Sequence, residues 1–208
     1  MISAPNEVHP YRFGRIVLLA IEEILGVKEA DDLLRHARLS QPFKRSGTSN
    51  AGAKFHFKYI LRLQNALEEA YGPRAGAGFC LRIGRASLKY SLREFGPQLG
   101  ITSLDFRLLP LHPRLEAGSK ALADLLNMIT DLQIMQTSDS EQVCWKFEHG
   151  ALFRERQGKE YCCTLISGLL QEAFCWMSGG RSFLAQAHHE RAGGALMCAI
   201  TIDKTPLG

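Results

Sequence analysis

Six cysteines, at positions 80, 144, 162, 163, 175 and 198, and seven histidines, at 9, 36, 56, 112, 149, 188 and 189, are the side chains best able to hold a metal or attack an electrophile. Their spacing narrows that chemistry. Cys162 and Cys163 are adjacent rather than C-x-x-C, so the pair lacks the geometry of a thioredoxin-like dithiol. No histidine falls in H-E-x-x-H and no serine in G-x-S-x-G. Neither a P-loop nor a G-x-G-x-x-G is present. Gly76-Ala77-Gly78 and Gly179-Gly180 lack the further glycine and preceding strand that a dinucleotide fingerprint needs, and read as helix boundaries. His112, directly before Pro113, is a conceivable axial ligand for a heme. Irregular spacing in a chain of 208 residues points to reduced thiols and a cytoplasmic protein rather than a disulfide framework.

Periodicity supplies the elements that must position these groups. Phe13, Ile16, Val17, Ala20, Ile21, Ile24 and Leu25 recur at three and four, predicting an amphipathic helix that stops at Gly26. A second, short helix fits 29–37. The polar, Gly- and Ser-rich stretch 40–54 reads as an exposed loop. Tyr59, Leu63, Ala66, Leu67 and Ala70 mark a third helix closed by Gly72-Pro73; Phe79, Ile83, Ala86 and Tyr90 mark a fourth that ends near Gly96-Pro97. The connector 100–113 carries two prolines, which argue against regular helix there. A fifth helix carries Leu115, Leu122, Leu125, Leu126 and Ile129. At Leu132 the period changes to two: LQIMQT, SDSEQ and VCWKFEH predict a hairpin. A helix over 161–177, stopped by Ser178-Gly179-Gly180, and two strands, 181–189 and 195–203, complete the chain. The expected fold is α+β: N-terminal helices packed with an antiparallel four-stranded sheet of order β-β-α-β-β in the C-terminal half. The chain is expected to form one domain, with a helical half over 1–131 and a ligand-binding module over 132–208.

Bulk numbers exclude other classes. Hydrophobic content of 46% and charged content of 22% are globular values, and the net charge of +4 is mild and scattered. No basic stripe with interleaved aromatics argues for nucleic-acid binding by this chain alone. No apolar run approaches the roughly 18 residues of a membrane span, and no leader is evident at the N-terminus.

The last 65 or so residues resemble the 4-vinyl-reductase-type domain, itself similar to Bet-type trafficking-complex subunits. The resemblance rests on a cysteine, Cys162 or Cys163, opening a helix with Ser167-Gly168 and LLQEAF, followed by strand, hairpin and final strand. In AHHERAGGALMC, Ala192, Gly194 and Cys198 fall on the Ala, Gly and last Cys of the family's E-x-x-C-x-A-x-G-D-x-x-C. The chain departs from the pattern where Glu190 replaces the first hairpin cysteine, Ala187 the Glu and Ala195 the Asp. The helical first half looks like the helices that precede this module.

The resemblance implies three things. First, a zinc ion, held in some members by cysteines and a glutamate around the hairpin; here the donors would be Cys198, Cys162 or Cys163, Glu190, and His188, which shares Glu190's strand parity. The competing reading is inert buried thiols beside a solvated His-His-Glu turn. Second, a carrier or sensor enclosing a small hydrophobic, aromatic or tetrapyrrole-like ligand where apolar helix faces meet the sheet. Phe79, Ile83 and Tyr90 of the fourth helix are candidates to line it, with Trp145 and Phe147 of the hairpin and Ile166, Leu170 and Phe174 of the last helix. Trp145 stands out for its large ring and single N–H donor. Third, a homodimer, expected to pair through the first helix, where Leu18 and Leu19 widen the apolar face. The alternatives are a structural adaptor of the trafficking-subunit type, or a vinyl-group reductase or accessory factor in (bacterio)chlorophyll synthesis. The loop 40–54, flanked by Phe43 and Phe55, is a candidate lid.

Overall fold

The computed structural model describes residues 11–43, 54–148, 163–192 and 195–207. Its elements run α1 (Tyr11–Leu25), α2 (Val27–His36), α3 (Lys58–Tyr71), α4 (Pro73–Leu99), α5 (Leu104–Leu108), α6 (Leu111–Ile129), β1 (Gln133–Ser138), β2 (Gln142–Glu148), α7 (Thr164–Ser178), β3 (Ala185–Ala192) and β4 (Ala195–Asp203). The expected α+β class is observed, with six of the helices preceding a four-stranded antiparallel sheet of order β1-β2-β4-β3.

The helices are stopped where the chain needs positive φ. Gly26 ends α1 at φ 92 and Gly72 separates α3 from α4 at φ 84, values that a side chain would resist. Proline is where the sequence reading needed correction. Pro73 opens α4, six residues before Phe79, because a helix's first N–H groups have no carbonyl to bond. The same tolerance admits Pro113 to the first turn of α6. Pro97 lies in the last turn of α4, which continues to Leu99 and is capped by Gly100 in the left-handed region. Between the prolines, α5 forms after Ser103, whose hydroxyl accepts from the Phe106 N–H at 3.2 Å.

α4 is the hub: it packs on α1, α3, α6 and α7. The α4–α7 crossing is close because Gly84 and Gly168 carry no Cβ there. The first helix exposes Arg15 and Glu23, and the breadth of its apolar face has an internal reason. Leu18, expected at a dimer contact, is 2% exposed within the chain's own core.

A non-local cap ties the start of α3 to the segment that follows α6. Phe55 bridges Thr130, and Asp131 follows, with its Oδ1 accepting from the Phe57 N–H at 2.7 Å and its Oδ2 2.8 Å from His56 Nδ1. Phe43 and Phe55, expected at the two ends of a lid, are both buried, with ring centroids 5.7 Å apart. The intervening 44–53 lie outside the described residues.

The sheet has one buried face. Val143, Trp145 and Phe147 of β2 alternate inward, and Cys198, Ile200 and Ile202 of β4 do the same. Cys144 and Lys146 point the other way. β3 is shifted from the expected 181–189 to Ala185–Ala192: residues 181–184 precede it, while Glu190 to Ala192 pair with Met197 to Ala195 and belong to the strand rather than the turn.

Candidate functional site

The inner face of the sheet meets α7 in a layer of aromatic rings. Trp145 sits on β2 between Gln136 of β1 and Ile200 of β4 and is fully buried. Its ring stands edge-on to Phe174 of α7, centroids 5.7 Å apart at 73°, and Phe174 stands edge-on to Phe183 at 5.4 Å and 80°. Edge-to-face contacts of this kind contribute beyond area burial. Residues 166, 170 and 174 recur every four positions, so Ile166, Leu170 and Phe174 form one stripe of α7, and all three are fully buried.

One polar atom in this layer is left over. The Trp145 Nε1–H is buried and has no hydrogen-bond acceptor among the described residues. A buried unpaired donor costs about 1–3 kcal/mol, so its position asks for an acceptor from elsewhere.

Of the eight side chains expected to line a ligand, Ile83, Trp145, Phe147, Ile166, Leu170 and Phe174 are in the core. Phe79 and Tyr90 are half-buried on α4 and engaged elsewhere. Phe79 packs on Tyr71 at 4.7 Å, and Tyr90 donates its hydroxyl to Glu23 Oε2 at 2.9 Å. Phe183 was not anticipated. It lies just ahead of β3, and the alternation of RSFLAQAHH was its only signal in the sequence.

The expected zinc ligands do not assemble. Cys198 pairs in register with His189 and Phe147 and points into the core. Glu190 pairs with Met197, one residue away, and so points through the opposite face of the sheet. There its carboxylate accepts from Lys146 Nζ at 2.9 Å and lies 3.0 Å from His188 Nε2. The parity that joins His188 to Glu190 is thus the parity that separates both from Cys198. Cys163 is buried where α7 begins, at φ 48, and Cys162 lies outside the described residues. Among the described residues no group of three or more histidine, cysteine or acidic side chains is placed to hold a metal ion.

Glu190 instead works as a charge partner. The Lys146 ammonium, then the His188 ring, holds its carboxyl below the usual value, and the same contact raises Lys146. The two line a polar hollow of about 470 Å³ on the outer face of the sheet, with Cys144, Gln186 and Thr201.

Histidine is absent from the described interior. His36, His56, His112, His188 and His189 are all exposed. His112 stands in the first turn of α6, while Arg114, two residues on, reaches the Leu109 and Met177 carbonyls. No described helix is long and apolar enough to cross a membrane.

No protein-family model matches the chain, and no curated protein sequence does. Solved structures do match its fold. A mutant of the T. tengcongensis H-NOX protein superposes with a TM-score of 0.61 at 12% identity, over 96% of this chain and all of that one (100%). An H-NOX structure solved to probe heme distortion in that family gives 0.60 at 11% identity, over 96% and 97% of the two chains. An Fe(II) unliganded H-NOX mutant from K. algicida gives 0.56 at 11%, over 94% and 96%. At such identities the likeness shows the fold, and it spans both halves of the chain. It corrects the resemblance to the 4-vinyl-reductase-type domain, which rested on a C-terminal motif whose Glu190 and Cys198 the sheet places on opposite faces.

Proposed function

We propose that this chain is a ligand-binding sensor or carrier that holds a small apolar molecule bearing one hydrogen-bond acceptor, with Trp145 as the anchor. The observation that carries this reading is the buried indole N–H without an acceptor, set among Phe174 and Phe183. An apolar wall with one oriented donor is the usual grammar of a small-molecule site. Burying roughly 300 Å² of apolar ligand surface at about 25 cal/mol/Å² gives about 7 kcal/mol before association costs, and one satisfied hydrogen bond adds to it. Trp145, Phe174 and Phe183 supply an apolar wall and one donor, and the reading they support is binding.

Heme is named for one of the H-NOX neighbours, and the described histidines of this chain do not fit it. An axial imidazole must reach the interior, whereas all five described histidines are exposed. His9 and His149 lie outside the described residues. Of the other interior groups, Cys80, Cys163 and Cys198 are buried thiols, and the Trp145 indole can donate a hydrogen bond but cannot ligate iron through its N–H.

The test compares 2-isopropenylnaphthalene with 2-acetylnaphthalene, which share one shape and differ by a =CH2 group in place of the carbonyl oxygen. The ketone should bind the protein about tenfold more tightly, as one charge-neutral hydrogen bond to an otherwise unpaired donor allows. Trp145→Phe should erase that advantage. Equal affinities for the two compounds in the unaltered protein would sink the assignment.

A further inference from the structure

A second concave site lies on the other side of α7, away from the ring layer. α1, α4 and α7 enclose a groove of about 390 Å³, within the size range of small-ligand sites. Its floor is apolar: Ile24 of α1, Ala86 and Leu92 of α4 and Trp176 of α7 are each half-buried there. Arg82, Arg85 and Lys89 recur at three and four along α4 and therefore stand on one face, at the groove's edge.

The charges at that edge are unequally spent. Lys89 is taken up by Glu23, 2.6 Å away. Glu23 also accepts from the Tyr90 hydroxyl, and these contacts, Lys89 first, lower its pKa, so its charge is compensated within the protein. Arg85 donates to the side-chain carbonyl of Gln171, a neutral acceptor, and Arg82 lies over the Phe79 ring. Among the described residues neither guanidinium has a carboxylate partner, although Glu172 also borders the groove and is the one unpaired acid there. Two forked cations beside an apolar trough form an amphipathic receptor.

The geometry points to a binding site for a small amphipathic monocarboxylate, its carboxylate held by Arg82 and Arg85 and its apolar tail laid over Ala86, Leu92, Ile24 and Trp176. A guanidinium matches a carboxylate with parallel N–H donors, which supplies orientation as well as attraction. The single carboxylate is set by the balance of charge: with Lys89 neutralised by Glu23, two arginines against Glu172 accommodate one added anion. The site is independent of Trp145, which lies in the ring layer at the sheet.

The test uses decanoate, below its micellar concentration, against decan-1-ol of the same chain length, by calorimetry on the full chain. Acrylamide quenching locates the site, because Trp176 is half-exposed and Trp145 fully buried. Decanoate should bind saturably and shield Trp176, and decan-1-ol should bind at least about tenfold more weakly, the cost of losing a charge-assisted contact. The double variant Arg82→Gln/Arg85→Gln should weaken decanoate by about tenfold and abolish its preference over the alcohol. Ala86→Glu, which sets a carboxylate on the floor, should abolish decanoate binding. Equal binding of acid and alcohol, or full affinity in the double glutamine variant, would each overturn the assignment.

Discussion

Gly84 of α4 and Gly168 of α7 lie at a reciprocal contact: a Cβ on Gly84 would overlap the Leu165 carbonyl, and one on Gly168 would overlap the Leu81 carbonyl. Each glycine is seated on the other helix's main chain. Because carbonyl groups cannot swing aside as side-chain ends do, the crossing sets how near α7 comes to the hub helix, and hence where the Phe174 ring meets Trp145.

Gly84→Ala and Gly168→Ala should therefore each destabilise the protein by about 1–3 kcal/mol, as overpacking against fixed atoms does, outweighing the roughly 1 kcal/mol that alanine gains in a helix interior. Gly78 is the control, since nothing lies within 4 Å of a Cβ placed there. Gly78→Ala should stabilise by about 0.5–1 kcal/mol. Urea denaturation of the three variants reads both signs, and neutral behaviour at Gly84 would mean the helices can part.

Trp145 separates burial from hydrogen bonding. Trp145→Ala should cost about 3–5 kcal/mol, the usual penalty for truncating a large core ring. Trp145→Phe removes a donor that makes no bond within the described protein, so it should cost less than about 2 kcal/mol. If the two variants lose equal stability, the N–H has a partner that matters to folding.

The Asp131 carboxylate caps α3 from a distance, through the Phe57 N–H. Asp131→Ala should lower stability by about 1–2 kcal/mol, in the range of a lost helix cap. Hydrogen exchange would show faster exchange at the start of α3 in that variant; unchanged protection there would assign Asp131 a surface role.

The Lys146–Glu190 pair carries a pH signature. Glu190 is lowered from 4.5, so its contribution is complete above that value and lost as pH falls through the folded one. Lys146 is raised from 10.5, so its contribution is complete below that value and lost as pH rises through the folded one. Tm measured against pH should place Glu190→Gln below the parent protein between these limits, with the curves converging on the acid side. Parallel curves down to pH 2 would show that the pair adds nothing.

Hemin offers a test of the exposed imidazoles. Any absorbance band it forms with the protein should be the same in His112→Ala, because His112 points to solvent. A band that collapses in that variant would return an axial histidine to the account.

Local periodicity was enough to place most of this fold. Apolar residues at three and four mark α1, α3, α6 and α7, and alternation marks both hairpins, because a side chain's inward or outward direction follows from the backbone of its own element. The same rule correctly joined His188 to Glu190. What it could not supply was the relation between strands. Only the register of β3 on β4 puts Glu190 opposite Met197 and Cys198 opposite His189, and so divides a plausible set of zinc donors between two faces of one sheet. Register depends on pairing across a turn, and burial on what packs above the strand; neither is written in the spacing of a single segment. For the same reason Trp145 was legible as a large ring with a donor, while its want of an acceptor became visible only when β1, β4 and α7 closed around it.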